Sequence, residues 1–288
     1  MPPSPNRKGC EAGCPATTAA PIARQDLAAN ETEKRAIMRL LIVNSNTSAA
    51  VTEIVALSAK RFASADTDLD FATGLFGARV IASRTENTIA GHATLDLVAR
   101  HADGCDGVMI AVSYDSGLRA ARELLDVPVL ALTEASLLAA LTLGTRIGLV
   151  IWGQGATAVY MELIDTYGLG GRICGTRRVD CPVPETPTLR MAMDDAVIAA
   201  GQDLIDHADA EVIVLMGAVL SGRSLDLQDR LPVPVLDGMR CGIPLLEAMV
   251  RIGAKPAVSG SYAIPGGRAS EGLSPELGER LKRTRRGE

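Results

Sequence analysis

Short polar segments that directly follow apolar runs are the places in this chain where chemistry could occur. The segment Asn44-Ser-Asn-Thr-Ser48 follows an apolar run at 39–43 and precedes a helical pattern. Amide and hydroxyl groups at the start of a helix either cap it or bind an anionic oxygen beside its free N–H groups. We predict that Asn44, Asn46 and Thr47 contact substrate oxygens, with simple capping as the alternative.

Another polar segment, Ser113-Tyr-Asp-Ser116, follows the apolar run at 107–112. A hydroxyl or phenol there could act as an acid or base if a carboxylate orients it. Asp115 and Glu134 could be that partner, although Asp115 could instead cap a helix. The predicted catalytic residues are Ser113, Tyr114, Asp115 and Glu134.

The corresponding segment in the second half of the chain is apolar. It reads Met216-Gly-Ala-Val-Leu-Ser221, so its first five residues carry no ionisable side chain. Such residues are suited to the apolar wall of a substrate site, with polar chemistry confined to the first half. The predicted wall residues are Val112, Gly217, Ala218 and Val219.

The elements that must position these segments are short apolar strands alternating with helical patterns. Near-continuous apolar runs are typical of strands buried on both faces of a parallel sheet. Strand–helix alternation of this kind indicates an α/β fold. The strands recognised directly are 39–43, 107–112, 127–132, 146–152, 212–216 and 233–236.

An internal repeat relates the two halves of the chain. The segment 108–117 reads VMIAVSYDSG and 213–222 reads IVLMGAVLSG, and each precedes a Val-Pro-Val-Leu run. The repeat predicts two similar lobes related by a pseudo-two-fold axis, each with a mainly parallel four-stranded sheet flanked by helices. A cleft between the lobes should lie at the carboxyl ends of the strands, where ligands bind in open parallel sheets.

The same patterns divide the chain into segments. Residues 1–37 are rich in Pro and Ala without periodicity, and they predict a disordered leader. The first lobe should span 38–137 and the second 138–240. Residues 253–288 are expected to form a loose tail.

Composition excludes several classes of partner. The net charge of -5 and an aromatic content of 3% argue against nucleic acid and anionic membranes. No apolar run approaches the ~20 residues of a membrane span, and no secretory signal is recognisable, so we expect a cytoplasmic protein. The expected partner is a small-molecule substrate. The sequence leaves open whether the protein forms a homo-oligomer.

The cysteines are scattered, apart from Cys10 and Cys14 in the predicted leader, so we predict no metal site. We predict a reduced protein whose cysteines are ordinary buried thiols without a catalytic role. Alkylation with iodoacetamide should then leave activity intact. The cysteines are Cys10, Cys14, Cys105, Cys174, Cys181 and Cys241.

A dinucleotide-binding motif competes with this view. Gly153-Gln-Gly-Ala-Thr-Ala158 matches the G-x-G-x-x-A pattern after a strand, and Asp180 follows at roughly the expected 20 residues. The internal repeat already predicts a turn from strand to helix at this place. A lone motif of this kind also often matches by chance. We therefore predict no cofactor.

Several segments together resemble a known family. Met38-Arg-Leu-Leu-Ile-Val-Asn-Ser-Asn-Thr-Ser48 is similar to the opening of hydantoin and allantoin racemases, which usually carry Asn-Pro-Asn here. Gly104-Cys-Asp-Gly-Val-Met-Ile-Ala111, 127–135 and 233–238 resemble later segments in the same order. The resemblance is to the aspartate/glutamate/hydantoin racemase superfamily.

This resemblance implies cofactor-independent chemistry at a carbon next to a carbonyl, in a small carboxylate, amino-acid derivative or hydantoin-like cyclic amide. It also implies that a helix at 241–252 returns to the first lobe. In the family a cysteine follows each of the two central strands, and the two thiols exchange protons on opposite faces of the substrate. The resemblance places Val112 and Gly217 at these positions, and neither can be an acid or a base.

Three classes of function therefore stay open. The first is a racemase or isomerase without the two-thiol mechanism, and the second is a lyase, decarboxylase or hydrolase on the same scaffold. The third is a non-catalytic binding protein for small molecules.

Overall fold

The computed structural model describes residues 37–153, 156–182, 187–263, 267 and 269–283. The predicted leader lies outside these residues, apart from Ile37. Among the described residues, no helix is long and apolar enough to cross a membrane.

The first lobe is a parallel sheet with the strand order β2-β1-β3-β4. The central strand β1 is apolar because both of its faces are covered, and Leu40 and Leu41 are fully buried. Ser48 begins the first helix by accepting a hydrogen bond from the Val51 N–H. The elements are β1 (Met38–Asn44), α1 (Ala49–Phe62), β2 (Thr67–Thr73), α2 (Arg84–His101), β3 (Gly107–Ile110), α3 (Leu118–Leu124), β4 (Val129–Ala131) and α4 (Leu132–Ala140).

The second lobe repeats this arrangement with the order β6-β5-β7-β8, again with parallel strands. Leu149 and Val150 of the central strand are fully buried. The elements are β5 (Ile147–Trp152), α5 (Ala156–Thr166), β6 (Ile173–Val179), α6 (Pro187–Ala208), β7 (Val212–Met216), α7 (Arg223–Leu227), β8 (Val235–Asp237) and α8 (Gly238–Arg251), followed by α9 (Pro275–Leu281).

Two four-stranded parallel sheets with the same strand order confirm the predicted α/β fold of two similar lobes. Strands β2 and β6 were not recognised directly, because their sequences TDLDFAT and ICGTRRV are largely polar. Both are edge strands and are mostly only partly buried, so they lack a continuous apolar run.

Helix α8 packs against the first lobe. Its Glu247 carboxylate accepts hydrogen bonds from the Ser64 N–H and the Thr67 hydroxyl, each at 2.7 Å. The helix begins at Gly238, where an added Cβ would lie 2.5 Å from the Leu132 Cβ of α4. This glycine therefore permits close approach of the two helices.

Part of the segment expected as a tail is also docked on the first lobe. In α9, Leu277 is buried, and the buried Arg280 donates hydrogen bonds to the Ala99 carbonyl and the Asp103 carboxylate. The segment 253–288 thus departs from the loose tail expected over its whole length, since a seven-residue helix offers too short a pattern to recognise from sequence.

Candidate functional site

A cavity of about 530 Å³ lies between the lobes at the carboxyl ends of their strands. The segments after β1, β2 and β3 line it from the first lobe, and those after β5, β6 and β7 line it from the second. This volume is suited to a small organic molecule. The lining residues are Asn46, Val51, Arg79, Val80, Ile81, Ala82, Val112, Ser113, Tyr114, Trp152, Gly153, Tyr160, Asp180, Cys181, Pro182, Gly217, Ala218 and Val219.

In the loop after β1, some residues stabilise the loop itself and one lines the cavity. Asn44 is fully buried, and its amide nitrogen donates to the Asn46 Oδ1 at 3.0 Å and to the Thr52 hydroxyl at 2.9 Å. The Thr47 N–H donates to the Ala78 carbonyl at 3.1 Å. Of the three predicted contacts in this loop, only Asn46 lines the cavity. Asn44 and Thr47 hold the loop in place.

The loop after β3 supplies a wall of hydroxyl groups. Ser113 and Tyr114 are buried and line the cavity, beside Tyr160 from α5. The two tyrosine rings lie 4.5 Å apart between centroids. Burial, together with the nearby Glu86 carboxylate, raises the pKa of Tyr114 to about 12.

Tyr160 has the same character. Burial raises its pKa, the neighbouring Tyr114 adds to this, and a side-chain hydrogen bond with Ser113 opposes it in part. Both phenols therefore stay protonated at neutral pH, and they can donate hydrogen bonds to a carbonyl or enolate oxygen.

Asp115 and Glu134, predicted as catalytic, lie outside the cavity lining. Asp115 has a left-handed backbone conformation with φ of 49°, and its carboxylate accepts from the Thr133 N–H at 3.0 Å and the Glu134 N–H at 2.9 Å. The Tyr167 hydroxyl donates to it at 2.7 Å. Asp115 thus caps α4 and contacts the other lobe, rather than orienting Ser113 or Tyr114.

Complete burial raises the pKa of Asp115 to about 7, and the hydrogen bonds it accepts offset only part of this effect. Glu134 is engaged separately, in an ion pair with Arg122 of α3. The carboxylates near this loop therefore hold the first lobe together, and their contacts differ from those expected of an acid–base partner.

The loop after β7 forms an apolar wall. Gly217 has φ of +127°, a conformation that L side chains rarely adopt, and an added Cβ would lie 3.1 Å from the Trp152 Cβ. Trp152 takes the space that a side chain at 217 would need. Ala218 and Val219 continue this wall.

Several lining residues escaped the sequence interpretation. Arg79 lies in the β2–α2 connection, which carries no strand or helix pattern, and Tyr160 was indistinguishable from a core residue of its helix. Cys181 was interpreted as an ordinary buried thiol, but it is half-buried and lines the cavity. It follows β6, an edge strand that the sequence pattern did not reveal.

The first glycine of the dinucleotide motif and its acidic residue are both among the residues that line the cavity. Gly153 and Asp180 follow the neighbouring strands β5 and β6 and line the cavity. Gln154 and Gly155, in the middle of the motif, lie outside the described residues. The preference for no cofactor over a dinucleotide therefore stays a prediction.

The two-lobed fold with an interlobe cavity is that of a racemase-type protein, and the comparison with known families agrees. The family described as Asp/Glu/Hydantoin racemase matches residues 40–246, and this chain belongs to it.

Individual proteins similar to this chain include hydantoin and allantoin racemases. The chain is 27% identical to a hydantoin racemase of Pseudomonas sp. (strain NS671) over 79% of its length and 92% of that protein. Allantoin racemase from Pseudomonas fluorescens is 30% identical with a TM-score of 0.78, covering 82% of this chain and 100% of the other. Allantoin racemase from Klebsiella pneumoniae is 26% identical with a TM-score of 0.78, covering 83% and 98%.

Proposed function

We propose that this protein is a cofactor-independent racemase that inverts a carbon next to a carbonyl in a small hydantoin-like cyclic amide. The observation that carries the proposal is the interlobe cavity, which has hydroxyl donors at the loop after β3 and apolar groups at the loop after β7. Membership of the Asp/Glu/hydantoin racemase family and the likeness to hydantoin and allantoin racemases support the same reaction class.

The donors suit the charge that forms in such a reaction. Removing a proton from a carbon next to a carbonyl moves negative charge to the carbonyl oxygen, which positioned donors stabilise. Ser113, Tyr114 and Tyr160 can supply hydroxyl donors, and Asn46 can supply an amide N–H. Since the pKa values of both tyrosines are raised, these donors keep their protons at neutral pH.

Arg79 adds a positive charge to the same cavity. The side chain is exposed, and among the described residues no carboxylate forms an ion pair with it. It can therefore turn to a carbonyl or carboxylate oxygen of the substrate. The apolar wall of Val112, Trp152 and Val219 is suited to a hydrophobic substituent on the reacting carbon.

The test uses enantiomerically pure 5-benzylhydantoin, 5-methylhydantoin and allantoin. We expect the full-length protein to bring at least one of them to an equal mixture of enantiomers, measured by chiral chromatography against the spontaneous rate and a heat-inactivated sample. Incorporation of solvent deuterium at the reacting carbon should accompany inversion. A protein that binds these compounds yet leaves both optical purity and deuterium content unchanged would be a binding protein.

A second candidate is a lyase or decarboxylase. It is favoured by the loop after β7, where the residues Met216 to Leu220 offer no ionisable group on that face. A decarboxylation needs a proton delivered to one face only, whereas racemisation needs proton transfer on both. Release of CO2 from a malonate-type substrate, without inversion of any hydantoin, would select this candidate.

A further inference from the structure

Cys181 presents a thiol on the second-lobe wall of the cavity. It follows β6, forms no disulfide and is half-buried. Its position is held from two sides, since the Trp152 indole N–H donates to its carbonyl at 2.9 Å and its side chain packs against the core. Trp152 is also the residue that fills the space beside Gly217. Trp152 therefore contacts both the Cys181 backbone and Gly217, and both residues line the cavity from the second lobe.

Tyr114 provides a separate observation that points to a ligand. It lies on the first-lobe wall, is only 5% exposed, and is positioned by the ring of Tyr160. No described residue forms a hydrogen bond with its hydroxyl, and the neighbouring charge is the Glu86 carboxylate. Because the Tyr114 side chain lines the cavity, its hydroxyl is available to form a hydrogen bond with a bound molecule.

We propose that Cys181 and Tyr114 are the proton-transferring pair of this enzyme, one on each lobe and on opposite faces of the substrate carbon. This inference rests on the proposed racemase function. Cys181 would supply from β6 the proton transfer that Gly217, which has no side chain, cannot supply from β7.

The proton transfers balance within the cavity. The Cys181 thiolate removes the proton from the substrate carbon, so that a C–H bond breaks, an S–H bond forms, and the electron pair moves onto the carbonyl oxygen. The Tyr114 hydroxyl then gives its proton to the opposite face, which forms the new C–H bond and leaves a tyrosinate. Exchange with water returns a proton to Tyr114 and removes one from Cys181, and no oxidant or other reactant is consumed.

Arg79 and Asp180 line the same cavity and carry opposite charges. The Arg79 guanidinium can pair with the negative charge that forms on the carbonyl oxygen of the substrate. Since the thiolate is the reactive form of a cysteine, the proposed step uses Cys181 in that form.

The decisive variants are Cys181→Ala and Cys181→Ser, with Cys174→Ala as the matched control. Cys174 is another half-buried cysteine of the same lobe, within β6, and it does not line the cavity. We expect both Cys181 variants to lower the racemisation rate at least a hundredfold and Cys174→Ala to change it less than twofold. Thermal melting checks that all three variants are folded.

Tyr114→Phe tests the other half of the pair. This variant keeps the ring contact with Tyr160 but has no hydroxyl proton to give. We expect inversion to be lost, while the enantiomer whose C–H bond faces Cys181 still exchanges its proton for deuterium with retention. A merely structural role for Tyr114 would lower exchange and inversion together.

Iodoacetamide labelling with peptide mapping gives a readout that does not depend on turnover. We expect modification of Cys181 to follow the loss of activity, and 5-benzylhydantoin to protect Cys181 but not Cys174. If the wild-type protein racemises and the Cys181 variants retain its rate, the inference is wrong and the proposed function stands. If the wild-type protein racemises none of the test compounds, the proposed function is wrong. Failure of all of them to protect Cys181 would then also remove it from the site.

Discussion

The loops after β3 and β7 are equivalent in the two lobes, yet they contribute opposite properties to the cavity. The first presents Ser113 and Tyr114, whose hydroxyl groups can meet developing charge. The second presents Gly217 and Ala218, and a Cβ added at position 217 would lie 3.1 Å from the Trp152 Cβ. One fold can therefore keep its symmetry in the strands while the side chains of equivalent loops differ in their chemistry.

The acidic residues near these loops show the same divergence. In the second lobe Asp237 begins α8 itself, accepting from the Met239 N–H at 3.1 Å and the Arg240 N–H at 3.0 Å. In the first lobe Ala131 stands at that place without a capping side chain. Asp115 from the loop after β3 caps α4 instead, and this use explains why the carboxylate turns away from the cavity.

The largest expected effect is that of Tyr114→Phe on turnover. Loss of a positioned proton-transferring group typically lowers kcat by about a hundredfold or more. Val219→Ala, in the apolar loop of the other lobe, should instead raise KM by less than about tenfold, because it removes only packing. Steady-state kinetics with the preferred hydantoin separate the two results. Equal losses of kcat from both variants would contradict the assignment of chemistry to the loop after β3 and of packing to the loop after β7.

Gly217→Ala should have the next largest effect, on stability. A non-glycine residue in such a conformation costs about 1–3 kcal/mol, and the contact with Trp152 adds to this cost. Gly153→Ala is the matched control, since Gly153 also has a positive φ but no atom within 4 Å of its added Cβ. Urea unfolding should find Gly217→Ala the less stable variant. For the same reason, the double change Val112→Cys and Gly217→Cys should not produce a working two-thiol site.

The burial of Asp115 predicts a pH dependence of stability. Its pKa is about 7 in the folded protein against an ordinary value of 3.8. A carboxyl with a raised folded-state pKa stabilises the fold while it is protonated, so this contribution is full below about pH 4 and is lost as the pH rises through 7. The free energy of unfolding should fall over this range by at most about 1.4 kcal/mol per pH unit. Asp115→Asn should flatten that slope, and an unchanged slope would assign the effect elsewhere.

The smallest effect is expected in the loop after β1. Asn46→Ala removes an amide donor from the cavity, and one hydrogen bond is worth about 0.5–1.5 kcal/mol, so affinity should fall up to about tenfold. Thr47→Ala removes a neighbouring side chain that does not line the cavity, and it should leave affinity unchanged. Calorimetric titration with a bound hydantoin compares the two. Similar losses in both would mean that the loop acts through its shape alone.

The sequence alone determined the α/β fold, the repeat and the loops at which a site could form. Strands β1, β3, β5 and β7 lie in the interior of their sheets, so covering both faces requires apolar runs that are visible in the sequence. The edge strands β2 and β6 are mostly only partly buried, unlike the buried edge strands β4 and β8, so they lack an apolar run and were missed. The residues that follow these two strands, including Arg79 and Cys181, were therefore not assigned to the site.

Only the tertiary structure decided which side chains of a recognised loop face the cavity. Tyr114 and Asp115 are neighbours in the sequence, but the left-handed conformation at Asp115 turns its carboxylate to the N-terminus of α4, while Tyr114 packs on Tyr160 from the other lobe. Polar residues after a strand can serve a helix or a ligand equally well in sequence terms. The choice depends on the path of the loop and on contacts with residues distant in the chain, and no local pattern records either.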